Sequence, residues 1–201
     1  MKTIFLVSLI LTTISCKAQS PIVPLVDFID PQVNNAYFKD TQDNFLAFLG
    51  EWQFTSGNRF FKMKLIKKTM YYNDLSKYYQ DLIIGEYIYK ENNVEIVNTL
   101  NTLSNTSIDP YERNIVGCQL LDVNDVPSCP ECNPSEIRAN LMFSDPNRDI
   151  LGLFGRIELR RIDENGVQKL KMTLRETGNI IIVDDQMPEF TSFNLPFGTY
   201  I

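Results

Sequence analysis

Two stretches of the chain alternate apolar and polar residues with period two on either side of a tight turn. In the first, Trp52 and Phe54 alternate with Glu51, Gln53 and Thr55, and Phe61, Met63 and Leu65 alternate with Lys62 and Lys64. Gly57-Asn58 between them reads as a two-residue hairpin loop, with glycine at the first central position of a type II′ turn. That loop sets Phe54 opposite Phe61, Trp52 opposite Met63 and Gly50 opposite Leu65, so the apolar residues share one face. A one-residue slip would break the agreement. In the second stretch, Leu153–Leu174, Asn165-Gly166 is the type I′ pair. It sets Arg161 against Leu170, Leu159 against Met172 and Ile157 against Leu174, again with the apolar partners on one side. Two hairpins whose faces agree with their turns predict an antiparallel meander with one buried side.

The remaining pattern fills in this plan. Phe45-Leu46-Ala47-Phe48-Leu49 predicts a short helix before the first strand, capped by Asp40 or Thr41 and stopped by Gly50. A strand pair runs over about 82–89 and 94–100 around Glu91-Asn92-Asn93, and a further strand over 115–121. Residues 101–114 and 122–136 are long polar loops. Ile137, Ala139, Leu141 and Phe143 alternate as a strand would, while Asn133-Pro134-Ser135-Glu136 is a helix-start signal, so both readings of 137–143 stay open. The tail, Leu195–Ile201, is apolar enough to be a closing strand paired with the first. The sum is one all-β domain over 41–201: an antiparallel up-and-down barrel of about eight strands with a short N-terminal helix.

Ahead of it, Met1-Lys2 and the apolar run to Ile14 form a signal peptide, 1–15, too short to span a membrane. Ser15-Cys16 follows at once. Cys16 is the expected lipid anchor and new N-terminus, with ordinary cleavage after Ala18 as the rival. The anchored product would face the cell envelope; a product cut after Ala18 would be soluble. Residues 16–40 form a tether, but Ile22, Val23, Leu25, Val26, Phe28 and Ile29 make it too apolar to stay in water, so part of it should pack on the barrel or pair with an edge.

Composition narrows the chemistry. The chain has 201 residues, a net charge of −6 and no histidine. The charge argues against nucleic acid as a partner. The lack of histidine removes Ser-His-Asp and Cys-His catalysis and histidine metal sites. Cys129-Pro130-Glu131-Cys132 is the sharpest motif, read as a structural disulfide in an oxidising compartment, a redox pair or half a zinc site. Cys118 is a buried thiol or the true partner of one of them. Asp145–Asp149 spaces oxygen ligands like a calcium loop but lacks the required Gly and Glu, so it reads as a turn. Asp184, Asp185 and Glu189 are the loop carboxylates a hydrolase would use. Tyr71, Tyr72, Tyr78 and Tyr79 either rim a pocket or cover a barrel end. No metal and no cofactor is expected.

The corner Leu49-Gly50-Glu51-Trp52 resembles the Gly-x-Trp motif that opens lipocalin-like and avidin-like barrels, where the tryptophan closes the barrel floor. The tight Ser56-Gly57-Asn58 turn is more avidin-like, and no arginine stands out in the sequence as the one that covers this tryptophan in lipocalins. Ser15–Gln19 resembles the start of lipoproteins of the Bacteroidota. With no acid soon after Cys16, that resemblance implies a periplasm-facing anchor on the outer membrane. The wider pattern, Asn34–Thr41, the corner and Tyr79–Tyr89, is similar to a family of uncharacterised Bacteroidota lipoproteins known only as a domain of unknown function, which implies no activity. The leading expectation is therefore a non-enzymatic module. Phe54, Phe61, Met63, Leu159 and Met172, with Trp52, either line a lumen for a small apolar ligand or fill the core. The alternatives are an envelope lipoprotein that binds protein partners through its long loops, and a thiol oxidoreductase using Cys129 and Cys132.

Overall fold

The computed structural model of the chain describes residues 20–27, 33–184 and 186–201. The expected signal peptide, 1–15, and the expected anchor, Cys16, lie outside the described residues, as do Phe28, Ile29 and Asp185. The described strands are β1 (Ile22–Pro24), β2 (Tyr37–Lys39), β3 (Gly50–Ser56), β4 (Arg59–Asn73), β5 (Tyr78–Glu91), β6 (Val94–Asn98), β7 (Ile115–Leu121), β8 (Arg138–Phe143), β9 (Leu153–Arg161), β10 (Leu170–Gly178) and β11 (Gly198–Tyr200). They form one large, mostly antiparallel sheet.

β5 is its spine. β4 follows one edge of β5 from Asn73 opposite Tyr78 to Arg59 opposite Glu91. A strand has only two edges, so the other three partners share the opposite one, end to end: β2 in parallel at Tyr79 and Gln80, β7 at Ile83–Gly85, and β6 at Ile88–Glu91. The sequence explains the placement. Leu82-Ile83-Ile84 and Tyr87-Ile88-Tyr89 are apolar on both faces, as a strand covered on both sides must be, and residues 80–89 are all buried. Gly85 lets β4 approach: a Cβ there would lie 2.5 Å from Leu65 Cδ2 and 2.8 Å from the Lys64 carbonyl oxygen. The inner face carries the main core, including Phe61, Met63, Leu65, Tyr87, Leu141, Ile157, Leu159 and Met172. On the outer face, Leu82, Ile84 and Val116 pack with Leu103 from the 3₁₀ turn Leu100–Ser104.

From β5 the sheet continues through β7, β8, β9, β10 and β11. Both predicted hairpin registers are present, with Trp52 opposite Met63 and Leu159 opposite Met172. Residues 138–143 are a strand, paired on both sides. The helix-start chemistry still forms: Asn133 Oδ1 accepts from the Ser135 N–H, and Glu136 accepts from the Asn133 N–H. Tertiary pairing overrides that local signal. Part of 16–40, the segment expected to be a tether, also joins the sheet, with β1 parallel to β2 and β2 on the edge of β5.

Three expectations fail. The sheet is not closed into a barrel, because β3 pairs only with β4 and β11 only with β10. The tail therefore pairs with the second hairpin, Tyr200 opposite Met172, and not with the first strand. Side chains occupy the seam between the two edges: the Phe54 ring meets Tyr200 at 5.0 Å, and Arg161 reaches across to the Ala47 carbonyl at 3.0 Å. Bulky groups bridge the gap and no backbone ladder does. The N-terminal helix is also absent; Asn44–Ala47 makes one 3₁₀ turn, preceded by Asp43 in the left-handed conformation. Asp40 explains this, since its carboxylate accepts from the Asn44 and Phe45 N–H groups at 2.8 and 3.0 Å and fixes the chain only a few residues before Gly50. A longer α-helix has no room to nucleate there.

The same Asp40 belongs to a buried polar cluster. Lys67 Nζ lies 3.2 Å from Asp40 and 3.3 Å from Asp81, and both carboxylate side chains are fully buried. Asp81 also accepts from the Tyr37 hydroxyl and from the N–H of Met70, which sits at φ 52° in a bulge of β4. Burial opposes the Lys67 charge, but the hydrogen bonds and charges of the two aspartates outweigh it and hold its pKa above the ordinary value. Lys67→Met leaves two buried carboxylates without their cation, and should lower stability by about 3–5 kcal/mol. A urea titration should show a lower midpoint with an unchanged slope. The same stabilisation should be complete below about pH 10 and lost as pH rises through the elevated Lys67 pKa.

Candidate functional site

The open seam carries a cleft of about 270 Å³. β3 supplies Trp52, Gln53 and Phe54; β4 supplies Phe61 and Met63; Gln168, Lys169, Leu170 and Met172 come from the approach to β10 and its first residues; Tyr200 and Ile201 close the end. Strand alternation brings the aromatic and thioether side chains to this one side. A larger space of about 540 Å³ lies between the tips of the β3–β4 and β5–β6 hairpins, walled by Asn58, Arg59, Lys90, Asn92 and other mostly polar residues. The seam is the more apolar of these two spaces.

Trp52, the single tryptophan, is fixed at its rim. Its indole N–H donates to the Phe48 carbonyl at 2.7 Å. The Arg161 guanidinium lies over its ring, 5.2 Å from the centroid, pairs with Asp163 and donates to the Ala47 carbonyl. Among the residues read from the sequence, Phe54, Phe61, Met63 and Met172 meet at this cleft together with Trp52. Leu159 does not; it sits directly behind Met172 in the register and is wholly buried. Gly50 opens β3 at φ 113°, a conformation suited to glycine. Arg161, Tyr200 and the 168–170 segment do not stand out as site residues in the sequence. A signal for Arg161 exists all the same: the β9–β10 register places it on the inward face, where a charge needs a partner.

The other candidates fall elsewhere. Cys129 and Cys132 form a disulfide, both residues buried, in the loop before β8. That loop is clasped by Arg138, wholly buried, which donates to the carbonyls of Pro127 and Asp122 and pairs with Glu158 at 3.2 Å. Arg160 holds its far end through Glu136 and Glu131. The earlier loop is held alike: Arg113 donates to the carbonyls of Thr102 and Asn105 and pairs with buried Glu86 at 3.4 Å. Asp145 is spent on a turn and on Asn194, accepting from the N–H of Asn147 and of Asn194. Among the described residues no group of three His, Cys, Asp or Glu side chains is placed to hold a metal. Asp184 and Glu189 are exposed. The tyrosines at the ends of β4 and β5 pair off in ring contacts, Tyr72 with Tyr79 at 4.9 Å and Tyr78 with Phe38 at 5.0 Å. Tyr71 instead meets Tyr111 at 5.7 Å.

The geometry defines an all-β protein built on one curled, unclosed sheet with an apolar cleft at its seam. A family model matches residues 1–201, and the chain belongs to that family, the family of unknown function DUF6705. No curated protein and no solved structure matched the chain.

Cys118 is a free thiol whose pKa burial pushes up to about 12. The native protein should therefore leave Cys118 unmodified by a maleimide at pH 8, and react at that residue only once unfolded. Reducing the Cys129–Cys132 bridge should lower the melting temperature, as expected of a clasp on the loop; mass spectrometry of labelled peptides and a thermal scan check both.

Proposed function

We propose that this protein is a non-enzymatic, membrane-anchored envelope lipoprotein that binds a small apolar ligand at the seam of its sheet. The observation that carries the binding reading is the seam cleft, where Trp52, Phe54, Phe61, Met63 and Met172 surround unfilled space. Its volume of about 270 Å³ lies just under the usual range for ligand pockets, roughly 300–1,000 Å³. That suits a ligand of modest size or one end of a chain. The Gly-x-Trp corner supports a lipocalin-like reading, now with Arg161 over the tryptophan. The core inside the curl is filled by side chains, so the ligand belongs at the seam and not in a central lumen. Residues 1–16, with the apolar run ahead of Cys16, support the anchor, and the lack of an acid at 17–20 supports the periplasmic side of the outer membrane.

A second reading, docking of a protein partner on the long loops, is favoured by the buried arginines that hold both loops in fixed positions.

Trp52 makes the binding test direct. The neutral probe N-phenyl-1-naphthylamine should give saturable energy transfer from Trp52. Phe54→Ala should weaken binding roughly 10-fold, the value of about one well-packed aromatic contact. Absence of saturation, or a variant that binds like the parent, sinks the binding reading. For the anchor, Cys16→Ser should move the protein from the membrane fraction to the soluble fraction; a protein that stays membrane-bound overturns it.

A further inference from the structure

On the outer face of the second hairpin, Arg156 of β9 and Arg175 of β10 are direct cross-strand partners. Like charges placed opposite one another in a sheet are destabilising. Both side chains are exposed, and among the described residues neither forms a hydrogen bond or ion pair. This is not for want of acids, since the chain has 25 Asp and Glu against 19 Lys and Arg. Arg113, Arg138, Arg160 and Arg161 all have acidic partners. Glu158, on the same face two residues along from Arg156, is engaged by Arg138.

The pair lies where two recesses meet. One, of about 260 Å³, is walled by Tyr111 and Asn114 next to the first long loop; the other, of about 280 Å³, is walled by Val126 and Pro127 of the second. Arg156 and Thr177 border both; Thr173 and Arg175 line the second, together with the carboxylates of Glu158 and Glu176. Phe154, 64% exposed, stands beside Arg156 on the same face. Two guanidinium groups on directly paired residues, with threonine hydroxyls on the same recess walls, offer donors for a tetrahedral oxyanion. An exposed aromatic ring next to them offers a surface for the organic body that carries it.

We propose that this recess binds a phosphate-bearing ligand through Arg156 and Arg175. The charge repulsion between the two arginines is relieved when the anion sits between them. The site is separate from the seam cleft, which uses none of these residues.

The test uses the full chain at low ionic strength, with inorganic pyrophosphate as probe, read by isothermal titration and by thermal shift. Pyrophosphate should bind saturably and raise the melting temperature. Arg156→Gln and Arg175→Gln should each weaken it at least 10-fold, while Lys90→Gln on a distant hairpin tip should not. Without pyrophosphate, Arg175→Gln should melt higher than the parent, because the repulsion is gone; loss of folding would have the opposite sign. Flotation of the Cys16→Ser chain with phosphatidylcholine vesicles, with and without phosphatidic acid, separates the sources: binding only to the acidic vesicles assigns a lipid headgroup, and binding to pyrophosphate but neither vesicle assigns a soluble phosphate. No saturable binding at millimolar pyrophosphate, or full binding by Arg156→Gln and Arg175→Gln, overturns the proposal.

Discussion

Lys67, buried between Asp40 and Asp81, ties together parts of the chain that have little else in common. Asp40 ends the N-terminal strand pair and seats the 3₁₀ turn; Asp81 lies in the central strand; Met70 in the bulge of β4 and Tyr37 in β2 both donate to Asp81. A buried ion cluster is a poor source of net stability but a severe penalty when one partner is lost. Its effect here is positional. It fixes where β2 meets β5, where β4 bends, and where the chain turns to enter β3 at Gly50. The placement of Trp52, and with it one wall of the seam, follows from that entry point.

The two hairpins are legible in the sequence because turn type and alternation are independent signals that agree. Gly57-Asn58 and Asn165-Gly166 set registers, and the apolar residues of each hairpin then share a face, so alternation groups Phe54, Phe61 and Met63 in the first and Leu159 with Met172 in the second. Closure is not legible, since it depends on side chains that meet across the seam from distant parts of the chain, Phe54 with Tyr200 and Arg161 with Ala47. The 3₁₀ turn at Asn44–Ala47 escapes for a similar reason: its apolar residues suit a helix, but a carboxylate already anchored elsewhere limits its length. The buried roles of Arg113 and Arg138 leave no trace in the pattern, because an arginine at a strand end normally reads as solvated.

Leaving the seam open has consequences beyond a cleft. β3 keeps one edge without a backbone partner, which in an exposed sheet invites edge-to-edge pairing. Glu51, with Lys62 and Lys64 across from it, puts charge on the outer side of that edge. Arg161 and Phe54 bridge the gap from within. The edge is thus flanked on both sides by groups that do not close it, an arrangement that disfavours edge-to-edge pairing while leaving apolar space open.

The arginine clasps on the long loops bear on how any partner would meet this protein. A loop of a dozen or more residues normally freezes when something binds to it, and that loss of freedom is subtracted from affinity. Here backbone carbonyls of both loops are already engaged by guanidinium groups rooted in the sheet, and the second loop carries a disulfide as well. These contacts restrain the loops before any partner arrives. Loops restrained in this way favour selectivity for a matching surface over tolerance of many.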